Sequence, residues 1–133
     1  MKRTDARDIA FNLIFEHDFK RENRMEDTIS DAVEARDLVT EDYAVTTAES
    51  VFDHIAEIDG IIVKYSREWD IGRISRVSRA VLRLSVYEIL YADDVPESAA
   101  INEAVELAKQ YEGEEAGAFI NGILGSFVRG RRE

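Results

Sequence analysis

Apolar residues recur along this chain every third or fourth position, and the recurrence breaks at charged or glycine-bearing stretches. Strand-like alternation is sparse, so the spacing predicts about seven amphipathic helices. The first runs from Thr4 to Phe19, with Thr4 as its cap and Asp5 and Asp8 at its positive end. Ala6, Ile9, Ala10 and Leu13 form one face, and Arg3, Arg7, Phe11 and Phe15 follow at i, i+4 steps on another. The charged stretch Lys20 to Arg24 ends it. A second helix, Met25 to Arg36, carries Ile29, Ala32 and Val33, and a third starts near Thr40 with Ala44, Ala48, Val51, Phe52 and Ile55 at helical spacing. Asp59 reads as a fresh cap for a fourth helix from Gly60 to Glu68, with Trp69 at its end and a turn at Ile71-Gly72-Arg73. The fifth, Ser75 to Ala92, is apolar on most sides and belongs in the middle of a bundle. Asp93-Asp94-Val95-Pro96 stops it. The sixth, Ser98 to Tyr111, takes Ser98 as its cap and ends at Gly113, and the seventh runs from Glu115 to Phe127. The tail from Arg129 to Glu133 is expected to fray.

At 133 residues the chain suits one domain with a proper core, spanning residues 1–133. It has no cysteine, so disulfides and thiolate metal sites are excluded. No apolar run approaches the roughly 20 residues that span a bilayer, and the charged start lacks the apolar block of a secretory signal. A cytoplasmic protein is expected. The formal net charge of −11 argues against indiscriminate nucleic-acid binding. The charge is uneven, however. Residues 64–83 gather Lys64, Arg67, Arg73, Arg76, Arg79 and Arg83, whereas residues 93–115 hold Lys109 among many carboxylates.

No phosphate-cradling glycine loop, nucleophile elbow or paired-histidine motif is present. The expectation is a protein without enzymatic activity, cofactor or metal. His17 reads as a partly buried structural histidine. The Arg3-Arg7-Phe11-Phe15 face has two readings. Guanidinium groups pair with phosphates and rings stack on splayed-out bases, or the rings are core and the arginines simply solvated. Arg76, Arg79 and Arg83 either track a phosphate backbone or balance neighbouring acidic helices. Glu88 lies on an apolar stripe and needs a partner. Asn102 and Asn121, poor helix formers, are expected to hydrogen-bond between helices. Gly122, costing about 1 kcal/mol mid-helix, implies close packing against a helix or a ligand.

Two blocks are specific: Ile101-Asn102-Glu103-Ala104-Val105-Glu106-Leu107-Ala108-Lys109 and Phe119-Ile120-Asn121-Gly122-Ile123-Leu124. With Ala6-Arg7, Ile58-Asp59, Trp69, Leu82-Arg83-Leu84 and Tyr87-Glu88, they make the chain resemble the NusB family of bacterial transcription antitermination factors over nearly its whole length. The resemblance implies an all-α fold of two packed helical bundles. It also implies binding to boxA, a single-stranded element of ribosomal RNA leader transcripts, jointly with the small-subunit ribosomal protein NusE, within an RNA polymerase antitermination complex. Some members form homodimers when NusE is absent. No membrane partner is implied. The same module resembles the N-terminal part of some ribosomal RNA cytosine methyltransferases, but this chain is expected to lack their cofactor-binding domain.

Carried over by position, the RNA surface comprises Lys2, Arg3, Arg7, Phe15 and Phe119, with Arg79 and Lys109 added. Thr4 and Asp5 interrupt an arginine run that is denser in many relatives, and Phe15 stands where some have tyrosine. These departures and the net charge predict weak RNA binding by the chain alone and strong dependence on NusE. The rival from another class is a protein-only helical module, a homodimer with weak or lost RNA binding.

Overall fold

The structure, a computed structural model, describes residues 3–36, 42–67 and 70–132. Lys2, Thr40 and Trp69 lie outside the described residues, as do the side chains of Arg3 and Thr4. Among the described residues there are seven α-helices and no strand: α1 (Arg3–Asp18), α2 (Met25–Arg36), α3 (Asp42–Asp53), α4 (Ile55–Tyr65), α5 (Arg76–Tyr91), α6 (Glu97–Glu112) and α7 (Glu114–Arg131), with a 3-10 turn at Ile71–Arg73. They form two compact units, Met1–His54 and Ile55–Glu133.

In the first unit α1 packs on α3 and α2. Its apolar stripe buries Ala6, Ile9, Ala10, Leu13 and Ile14, and α3 contributes Ala44, Ala48 and Val51. His17 is 6% exposed. Its Nδ1 is hydrogen-bonded to Thr28 Oγ1 at 2.7 Å, and its ring meets Phe52 edge-on at 4.6 Å. This is the structural histidine that the sequence suggests. Burial, with Arg21 nearby, holds its pKa below the ordinary histidine value.

In the second unit α5 is central and touches α4, α6 and α7. The residues from Ser78 to Val86 are buried without interruption, as a helix apolar on most sides requires. Ala100, Ala104 and Ala108 give α6 a small-residue stripe, and Ile120, Ile123, Leu124, Phe127 and Val128 close the core from α7. Ser75 caps α5 by accepting the Ser78 backbone N–H at 3.1 Å. The Ser75 and Ser78 hydroxyls donate to Glu112 at 2.7 and 3.0 Å, tying the start of α5 to the end of α6. Gly113, at φ 92°, is the whole connection between α6 and α7. That left-handed angle is cheap only for glycine.

Four local expectations change. Thr4 is not a cap, because α1 already includes Arg3. Asp59 is not a cap, because α4 starts at Ile55 and Asp59 sits inside it. Its carboxylate instead receives Arg83 in a two-pronged pair, Nε to Oδ1 and Nη2 to Oδ2, both at 2.9 Å. Ser98 does not cap α6, which begins one residue earlier with Pro96 as its N-cap residue. The expected frayed tail is helical to Arg131. Arg131 donates to the Ile89 carbonyl and to Glu97, each at 3.1 Å, and Arg132 reaches Glu97 at 3.0 Å.

Candidate nucleic-acid interface

Each unit offers a separate surface. In the first, α1 carries Arg7, Phe11 and Phe15 along successive turns, and Phe19 follows directly after its end. Arg7 is 4% exposed and Phe11 3%. Among the described residues no buried side-chain nitrogen or oxygen lacks a hydrogen-bond partner, so the Arg7 guanidinium is satisfied inside the protein. Phe15 is half-buried. Its ring lies 6.2 Å from Phe11 and 5.1 Å, edge-on, from Phe19, which is exposed. The expected Arg-Phe face is therefore split. Arg7 and Phe11 serve the interior, and Phe15 with Phe19 remains at the surface.

In the second unit Arg76, Arg79 and Arg83 do not form a continuous exposed stripe on α5. Arg83 is sealed against Asp59. Arg79 is buried and donates to the Ile71 carbonyl at 3.2 Å, pinning the 3-10 turn. Arg76 is exposed. Arg7 and Arg79 are both buried, so little of either guanidinium is open to solvent.

Lys109 is half-buried. Its stem crosses Gly117 so closely that a Cβ there would stand 2.7 Å from Lys109 Cγ. Its Nζ lies 3.7 Å from Glu106 and 3.7 Å from Glu114. Such exposed pairs hold a lysine loosely.

Phe119 is half-buried on α7, and two neighbouring hollows share it as a lining residue. One, of about 390 Å³, is lined by Arg73, Ser75, Ser78, Glu112 and Glu115 among others. The other, of about 440 Å³, lies between the end of α4 and α7 and includes Tyr65, Arg67, Gly122 and Arg129. The first hollow mixes acid with base. In the second the charged side chains are cationic.

Asn102 and Asn121 are exposed, which removes the helix-to-helix bonding expected of them. A Cβ added at Gly122 would meet nothing within 4 Å. Close helix packing is therefore not the reason for that glycine, and the backbone there faces an open hollow. Glu88 is 1% exposed, and its buried carboxylate is satisfied, as a lone buried acid must be.

Tyr65, Arg67 and Arg129 were not legible as site residues in the sequence. Tyr65 ends α4, Arg67 follows it and Arg129 lies far along the chain on α7, and periodicity reports only the face each residue occupies on its own helix. No group of three or more metal-ligating side chains occurs among the described residues, and no described helix is long and apolar enough to cross a membrane.

The model of the NusB family matches residues 4–129. The transcription antitermination protein NusB of Acetivibrio thermocellus is 47% identical over 131 residues, covering 97% of this chain and 90% of the relative. The solved structure of T. maritima NusB superposes with a TM-score of 0.84 at 31% identity, covering 97% of this chain and 92% of that one. The antitermination factors NusB and NusE have been solved in complex with double-stranded RNA. A chain of that complex matches with a TM-score of 0.82 at 31% identity, covering 96% of each chain.

Proposed function

Since the chain belongs to the NusB family, we propose that it works in transcription antitermination by holding the boxA segment of ribosomal RNA leader transcripts jointly with NusE, as part of an RNA polymerase antitermination complex. The observation that carries this reading is the match, over nearly the full length of both chains, to a complex of NusB, NusE and RNA. The half-buried rings of Phe15 and Phe119 support it from within this chain. A ring with one open face stacks on an unpaired base and has little use for a base pair's edge. The RNA proposed is accordingly single-stranded where it meets these rings, although the RNA in the solved complex is a duplex.

The assigned residues are Phe15 on the first unit, with Lys2 and Arg3 at the chain start supplying phosphate contacts, and Phe119 with Lys109 on the second. Arg7 and Arg79, being buried, act by holding α1 and the 3-10 turn in place. A net charge of −11 repels phosphate at long range. A basic partner docked on an acidic face reduces that repulsion, so RNA affinity depends on NusE.

The test is a gel shift of boxA RNA, single-stranded and duplex, with and without NusE, on the wild type, Phe15→Ala and Phe119→Ala. The expected result is tight binding of the single strand only when NusE is present. Each ring deletion should cost roughly 1–3 kcal/mol with unchanged helicity. Equal affinity without NusE, or ring variants that bind normally, would overturn the reading.

The second reading is a homodimeric, protein-only module. It is favoured by the burial of Arg7, Arg79 and Arg83, which takes three cations off the surface. A salt titration separates the two, since phosphate binding weakens steeply with salt and an apolar interface does not.

A further inference from the structure

The groove between the end of α4 and α7 is built in a way that neither the fold nor Phe119 alone requires. Its far wall is Tyr65. That ring is held 5.8 Å from Phe127, and its hydroxyl occupies the space a Cβ at Gly130 would need. Its floor is Gly122, where no protein atom comes near enough to touch a Cβ. A mid-helix glycine with open space above it leaves bare backbone on which a flat group can lie. Its near wall is Phe119.

Two arginines complete it. Arg67 follows α4 at φ 61°, a left-handed angle uncommon outside glycine. It makes no hydrogen bond or ion pair among the described residues. Arg129 donates to Ser126 Oγ at 3.2 Å and has no carboxylate partner among the described residues. Two guanidinium groups without acidic partners, lining one groove of a chain with net charge −11, constitute a local inversion of sign. At about 440 Å³ the groove lies within the size range of small-molecule sites.

We propose that this groove is a nucleotide pocket on the path of the bound RNA. One unpaired base enters between Tyr65 and Phe119 over Gly122, and its phosphate is held by Arg67 and Arg129. The proposal rests on the RNA-binding reading given above. It adds a second site that adjoins the acid-lined hollow at Phe119, so that the strand crosses the Phe119 ring. The chemistry recognised is a planar heterocycle joined to an anion, which is what a splayed-out nucleotide presents.

The experiment measures binding of fluorescent boxA RNA to the full chain with its ribosomal partner. The variants are Gly122→Leu, Arg67→Gln, Arg129→Gln and, as a reference, Phe119→Ala. Gly122→Leu fills the pocket without altering charge. It should weaken binding at least roughly fivefold, the loss of one stacked base. Each arginine variant should lower the slope of log affinity against log salt by roughly 0.7, one phosphate contact on a single strand. Should Gly122→Leu fail to fold, the two slopes decide.

Normal affinity in Gly122→Leu together with unchanged slopes overturns the pocket, and the RNA reading survives if Phe119→Ala still loses binding. Weaker binding of NusE by Gly122→Leu in the absence of RNA makes the groove a protein-docking surface and also overturns it. A wild-type complex that binds no single-stranded RNA overturns the RNA reading itself, and the pocket with it.

Discussion

At the scale of single residues, burial decides what each charged group does. Arg83 and Asp59 form a two-pronged pair with the Arg83 side chain 2% exposed. Removing Arg83 strands the Asp59 carboxylate, which is 21% exposed. Arg83→Met should therefore cost about 1–3 kcal/mol, read as a shift in the urea midpoint, and adding Asp59→Leu should recover most of it. His17 gives a pH prediction. Its folded pKa lies below the ordinary value, so the unfolded chain takes up the proton first. Its contribution is complete above pH of about 6.5 and is lost as pH falls from there toward the folded pKa, where the loss levels off. Thermal melts between pH 8 and pH 5 should show a larger drop for the wild type than for His17→Gln. Equal drops would mean that His17 is not the titrating group. The sequence showed that His17 and Glu88 needed internal partners, because each sits on an apolar stripe. It could not show that Arg83 belongs to Asp59, since that choice is made between two helices.

At the scale of elements, the same residue type carries opposite consequences at different positions. Gly113 is the left-handed joint between α6 and α7, so Gly113→Ala should destabilise by about 1 kcal/mol or more. Gly60 lies inside α4, and a Cβ there would meet nothing within 4 Å. Gly60→Ala should instead stabilise by up to about 1 kcal/mol. Chemical denaturation of the two variants checks both signs at once. Asp59-Gly60 imitates a helix start because Asp favours caps and Gly punctuates helices. The pair is helical here because Asp59 spends its carboxylate on Arg83. The C-terminal extension of α7 has a similar cause. Arg131 and Arg132 find acceptors on Ile89 and Glu97, and no local pattern could have announced that.

At the scale of the whole molecule, the dominant fact is a net charge of −11 on a chain read as an RNA-binding protein. Burial takes Arg7, Arg79 and Arg83 off the surface, and the exposed cations that remain are outnumbered by carboxylates, 28 acidic against 17 basic residues in the whole chain. The RNA affinity of the complete assembly should consequently have a salt slope set mostly by the basic partner, with this chain adding only a few phosphate contacts. Comparing slopes for wild type and the Arg67→Gln/Arg129→Gln double variant measures this chain's share. The expected drop is about 1.4, two contacts on a single strand.

The sequence by itself determined that the chain is all-helical, roughly where its helices lie, which one is central, and which family it resembles. Those properties follow from periodicity and from two contiguous motif blocks, and both are local. Only the tertiary structure decided which cations are exposed, which glycines face open space, and that Tyr65, Arg67 and Arg129 share a groove with Phe119. Exposure and convergence depend on what a neighbouring helix covers, and a one-dimensional pattern records the face of a helix without its neighbour.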